Sequence, residues 1–175
     1  MINISKKLTL IAALSVLPFA AAPVQANEMI ANTTTAFVGG TINQQVSGEG
    51  DINVGSINTN SGSSIHNTAH GMVQGGINQD VYSAGDAEIN VGALETGAEG
   101  FSRDNTTTAY VEGEINQFVE DNAHAEINLG SVRNKNDFGN FSATDYNRAD
   151  AQVLGHINQY SGMDANAKLN LGSIK

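Results

Sequence analysis

The sequence predicts an all-β repeat protein, a β-solenoid or a stack of β-arches built from four strand-turn-strand units, and three observations predict it. Ile-Asn-Gln begins at Ile42, Ile77, Ile115 and Ile157, at intervals of 35, 38 and 42 residues. A second motif follows each one: Ile52-Asn53-Val54-Gly55, Ile89-Asn90-Val91-Gly92, Ile127-Asn128-Leu129-Gly130 and Leu169-Asn170-Leu171-Gly172, starting 10, 12, 12 and 12 residues later. Within each unit the side chains repeat with a period of two, the period of a strand. Internal repetition at this length marks units that bury their apolar faces against one another. Spacing inside a unit is nearly constant while spacing between units drifts, so insertions are tolerated between units, as surface loops are.

The elements follow in chain order. Residues 1–26 have a basic start at Lys6 and Lys7, an apolar run from Leu8 to Val24 and small residues at Val24 and Ala26, which is how a secretory signal with a cleavage site is built. The expected mature chain, 27–175, is one four-repeat β domain with units at 32–57, 67–94, 105–132 and 147–174, separated by spacers at 58–66, 95–104 and 133–146. In the first arm of a unit Val38, Gly40, Ile42, Gln44 and Val46 share one face, matched by Val111, Gly113, Ile115, Gln117 and Val119. The second arm places Ala87, Ile89, Val91 and Ala93 on one face, with Asn90, Gly92 and Leu94 on the other. Between the arms lie turn formers such as Ser47-Gly48-Glu49-Gly50-Asp51 and Glu120-Asp121-Asn122.

One unit cannot stand alone, because about five aliphatic side chains at roughly 1.5–3 kcal/mol each do not offset ordering costs of about 1–2 kcal/mol per residue. Stacked units in register are therefore expected to form columns. The core columns are Val38, Val73, Val111 and Val153, then Ile42, Ile77, Ile115 and Ile157, then Ile52, Ile89, Ile127 and Leu169. Gln44, Gln79, Gln117 and Gln159 become an inward amide ladder, in which each carboxamide donates to the next. Asn43, Asn78, Asn116 and Asn158, and likewise Asn53, Asn90, Asn128 and Asn170, are expected to form parallel ladders. Both prolines, Pro18 and Pro23, precede the repeats, as strands that need every backbone donor require.

Composition excludes several classes. From Asn27 onward there are 6 basic against 18 acidic side chains, and a charge of −12 opposes binding to nucleic acid or anionic lipid. There is no Cys, hence no disulfide framework and no thiolate metal site. No stretch after the signal approaches 18 apolar residues, so no helical membrane span is expected.

At this point the Ile-Asn-Gln and Ile-Asn-Val-Gly arms, the secretory signal and repeats covering most of the mature chain resemble the bacterial functional amyloids, the curlin and Fap-type fibre subunits. The resemblance is architectural. Curlin repeats carry a Ser, two Gln, an Asn and several Gly at set offsets, whereas a single inward Gln recurs here. It implies a secreted, self-assembling homopolymer of the biofilm matrix or cell surface, with a nucleator or an outer-membrane secretion machinery as its further partner. The alternative is a soluble secreted β-solenoid adhesin or a carbohydrate- or ice-binding protein.

No chemistry competes with these readings. His66 and His70 have the i, i+4 spacing of a zinc pair but no third ligand near them, and surface histidines are the expectation. Asp137-Phe138-Gly139 imitates a kinase triplet without a phosphate loop. No acid and base pair recurs, so no catalytic residue, metal or cofactor is assigned. Glu49 and Asp51, Asp86 and Glu88, and Glu120 and Asp121 are expected to line one edge of the stack as solvated charge, a weak lure for Ca²⁺. Thr33 with Thr35 and Thr106 with Thr108 resemble ice-binding rows, interrupted where His70 and Asp150 stand. Since the last unit closes at Ile174 and the first opens at Asn32, both ends are expected to lack a cap and to polymerise.

Overall fold

A computed structural model describes residues 28–58, 63–96, 102–134 and 144–174. The signal-like segment 1–26, Asn27, Lys175, the interior segments 59–62, 97–101 and 135–143, and with them Asp137-Phe138-Gly139, lie outside the described residues.

The fold is a parallel β-solenoid of four rungs, with no helix among the described residues. The first rung runs through β1 (Glu28–Ile30), β2 (Thr33–Val38), β3 (Ile42–Val46), β4 (Glu49–Val54) and β5 (Ile57–Asn58). The second repeats it as β6 (Ser63–Ile65), β7 (Thr68–Val73), β8 (Ile77–Val81), β9 (Asp86–Val91) and β10 (Leu94–Thr96). The third is β11 (Ser102–Arg103), β12 (Thr106–Val111), β13 (Ile115–Val119), β14 (His124–Leu129) and β15 (Val132–Asn134). The fourth has β16 (Thr144–Asp145), β17 (Arg148–Val153), β18 (Ile157–Ser161) and β19 (Asn166–Leu171), and a bridge from Val132 to Ile174 continues the last wall. Equivalent strands pair in parallel, giving five sheets that run the length of the stack.

Register is the one the motifs dictate. Ile42, Ile77, Ile115 and Ile157 pair in succession, as do Ile52, Ile89, Ile127 and Leu169. The interior holds three apolar clusters: a large one around Val73, Ile77, Ile89, Val111, Ile115 and Ile127, one under the β-arch around Val81, Val119 and Ala125, and one around Ala69, Leu94 and Val132.

The expected unit of two straight arms is corrected by the corners. The first arm breaks into two strands at Gly39-Gly40-Thr41 and its equivalents, and the second breaks at Gly55, Gly92, Gly130 and Gly172. The spacers are not wholly loops either, since β6, β11 and β16 fall inside them. Both bends have a steric cause. A Cβ on Gly113 would lie 2.6 Å from the backbone nitrogen of Gly76 in the rung below. Gly92 adopts φ +55°, the left-handed region, and a Cβ there would meet the Thr108 carbonyl oxygen at 2.1 Å. A second left-handed corner holds Ala31, His66, Asp104 and Tyr146, with no glycine among them. No residue at that corner is buried, so a side chain has room outward and only the conformational cost of about 1–2 kcal/mol remains.

Candidate functional site

The ladders grow directly from the register. Because β3, β8, β13 and β18 pair residue for residue, the four glutamines stack on the inner face. Gln79 Nε2 donates to Gln44 Oε1 at 2.7 Å, Gln117 to Gln79 at 2.8 Å and Gln159 to Gln117 at 2.5 Å. Gln44 Nε2 turns to the Gly50 carbonyl at 2.8 Å, across the β-arch. The asparagines of the same strands stack on the outer face, Asn78 to Asn43, Asn116 to Asn78 and Asn158 to Asn116, at 2.7, 3.0 and 2.8 Å.

The second-arm asparagines form a third ladder, Asn90 to Asn53, Asn128 to Asn90 and Asn170 to Asn128, at 3.0, 3.0 and 2.7 Å. Asn90, Asn128 and Asn170 are buried although they lie on the side of β9, β14 and β19 away from the apolar core. The cause is the glycine corner, which folds the next strand back over them and brings Glu95 and Arg133 to that side. Arg133 Nη1 stands 3.1 Å from Glu126 Oε2, 3.7 Å from Glu95 Oε1 and 3.8 Å from Glu88 Oε1. Asn58, Asn128 and Asn170 donate to Glu95, Glu88 and Glu126. One guanidinium and three amides thus hold three carboxylates, of which Glu95 and Glu126 are buried.

A fourth ladder joins the corner asparagines. Asn32, Asn67 and Asn105 each donate a backbone N–H to the side-chain oxygen of the next, ending at Asn147, at 2.8–2.9 Å. The internal repeat makes these positions equivalent, each ten residues before the Ile of its Ile-Asn-Gln, and the missing signal was the left-handed residue before each, which turns the backbone N–H along the stack. The charged cluster had no local signal, because its members come from different strands and rungs.

The acidic residues do not form one edge. Glu49 and Asp86 share a column with His124 and Asn166, Asp51 and Glu88 share one with Glu126 and Lys168, and Glu120 stands apart, one residue beyond the Val46-Val81-Val119 column. Strict parallel register separates them. Among the described residues no group of three or more His, Cys, Asp or Glu is placed to hold a metal ion. His66 and His70 share no helix: His66 sits at a corner 3.7 Å from Asp104, and His70 lies on β7 between Thr35 and Thr108. The threonine rows are Thr33, Thr68 and Thr106, ending in Arg148, and the broken row Thr35, His70, Thr108 and Asp150.

The stack is unequal along its axis. Val73, Ile77, Gln79, Ile89, Val111, Ile115 and Ile127 are sealed, and Ile42, Gln44 and Gln117 are buried. Val38, Ile52, Val153 and Leu169 are half-buried. In the fourth rung Ile157 is 41% exposed where Ile77 and Ile115 are 0%, and Gln159 is exposed beside it. Leu154, Tyr160, Leu171 and Ile174 of the same rung are also exposed. Tyr160 stacks on Phe118 with ring centroids 4.7 Å apart. Among the described residues no helix is long and apolar enough to cross a membrane.

Fold and ladders together define a β-solenoid with amide-laddered walls. No family model, curated protein or solved structure matches the chain.

Proposed function

We propose that this protein is a structural subunit of extracellular amyloid-like fibres, of a biofilm matrix or a cell surface, that self-assembles by stacking its rungs end to end. The observation that carries the reading is the exposed face of the fourth rung, where Ile157 stands at the position that Ile77 and Ile115 hold at 0% exposure. A second copy laid on that rung in register would cover Ile157 with Ile42 and extend the four four-stranded sheets by four strands each. Exposed parallel strands template such pairing, and identical residues in columns make each junction resemble the interior. The basic, apolar N-terminal segment supports export, and the work assigned is mechanical, with no catalytic residue, metal or cofactor. The reading of a monomeric ice- or carbohydrate-binding solenoid has less support, since the outer threonine rows are broken by His70, Arg148 and Asp150.

Electron microscopy of the purified protein, with thioflavin fluorescence followed over days, tests the proposal. Unbranched filaments one solenoid wide are expected. Persistent monomers at all concentrations and salts would replace it with the adhesin reading.

A further inference from the structure

We infer that the copies stack with one polarity, the fourth rung of one on the first rung of the next, and that Lys168 of one copy pairs with Asp51 of its neighbour across the junction. This rests on the fibre reading above and adds to it the partner surface and the residues that select it.

Two independent observations carry the inference. The first is charge along one column. Parallel register places Asp51, Glu88, Glu126 and Lys168 in succession on the side of β4, β9, β14 and β19 away from the apolar core, with Glu88 and Glu126 held by Arg133 in the middle of the column. Three carboxylates are followed by one ammonium, which is therefore the member that the next copy's Asp51 would meet. Asp51 and Lys168 are both exposed. The first rung carries Glu49 and Asp51 and no basic residue among its described residues, so two first rungs would repel each other, whereas the fourth rung, whose Arg148 is paired with its own Asp150 at 2.6 Å, offers Lys168 in the Asp51 column.

The second observation is the direction of the amides. In the ladders of Gln44, Asn43 and Asn53 every carboxamide NH₂ belongs to the later rung and every accepting oxygen to the earlier one. Continuing the pattern makes Asn158 Oδ1 and Gln159 Oε1 the acceptors at one end and Asn43 Nδ2 the donor at the other. Fourth rung on first rung joins donor to acceptor. Fourth on fourth sets oxygen against oxygen, and first on first sets NH₂ against NH₂.

Two experiments test the junction. Seeded elongation at low ionic strength is measured for wild type, Lys168→Glu, Asp51→Lys and the double variant, with thermal melts of the monomers as controls. Each single variant should elongate about three- to fivefold more slowly, the scale of an exposed ion pair, and the double variant should recover. At about 1 M salt, where the Debye length is ~3 Å, the differences should vanish. Asp51→Lys places a cation beside Glu88 within its own chain, and the monomer melts separate slow growth at the junction from a weakened monomer.

The second experiment uses a chain that has no cysteine of its own. Thr35 and Asp150 occupy the first and last places of one outward column. The inferred junction brings them to neighbouring-strand distance, about 4.8 Å, within the Cα span of a disulfide. Filaments of mixed Thr35→Cys and Asp150→Cys should yield disulfide dimers, and filaments of either variant alone should not. Dimers from Asp150→Cys alone, or equal elongation rates in filaments that do form, would overturn the junction and leave the fibre reading standing. Absence of filaments in every arm would remove both.

Discussion

Gln117 donates its side-chain amide to the carboxamide oxygen of Gln79 at 2.8 Å, in a part of the interior where both residues are buried. The two lie 38 residues apart, which is the repeat interval between their motifs. Replacing Gln117 by Leu removes that donor and the acceptor of Gln159. We expect a loss of about 1–3 kcal/mol, the cost of a buried polar group left unsatisfied. Gln45→Leu, on the exposed face of the same wall, should change stability by less than about 0.5 kcal/mol. Chemical denaturation of both variants checks the pair, and equal losses would refute a buried ladder.

Gly92→Ala should be among the most damaging of small substitutions. It imposes a left-handed backbone on an L-residue at about 1–2 kcal/mol and drives a methyl against the Thr108 carbonyl, 2.1 Å from the ideal Cβ position. Gly48→Ala meets nothing within 4 Å and has no positive φ, so it should be neutral. Thermal melts decide between them.

Arg133→Met keeps the stem of the side chain and removes the guanidinium from among Glu88, Glu95 and Glu126. Because Arg133 is partly exposed, we expect about 1.5–3 kcal/mol, the range of a hydrogen bond to a charged group, rather than the full cost of a sealed ion pair. Adding Glu126→Gln in the same chain should recover part of the loss, which a double-mutant cycle measures.

Asp80 supplies a pH test. Burial raises the pKa of its carboxyl above the ordinary value. The folded state therefore favours the protonated form, and the stability this contributes is present below the unfolded pKa, near 3.9, and lost as pH rises through the folded value. Asp80→Asn should melt higher than wild type at pH 7, and the gap should close as pH falls below ~4. A gap that widens on acidification would show that the carboxylate is stabilised where it stands.

The columns were legible in the sequence because parallel stacking converts a repeat directly into contacts: residues equivalent in sequence, such as Ile77 and Ile115, become neighbours in space. The corners were less so. Val38, Gly40 and Ile42 keep period-two parity across the first bend, so alternation alone reads one straight strand where the chain turns. The solvent side of the second arm was also hidden. Asn78 on the first arm is half-buried at the surface and Asn90 on the second is buried, yet both follow an Ile in an Ile-Asn motif.

The sequence by itself determined the rung count, the register of the walls built from the two motif arms and the identity of their columns, since these follow from repetition and strand period, but not the wall of β1, β6, β11 and β16, which lies largely in the spacers. Tertiary structure alone decided which asparagines are buried, that Arg133 gathers three carboxylates, and that the fourth rung opens its Ile157 layer to solvent. The physical reason is that alternation distinguishes only the two faces of a straight strand. Which face meets water is decided by the left-handed corners, because they close each coil and bring together side chains from separate rungs.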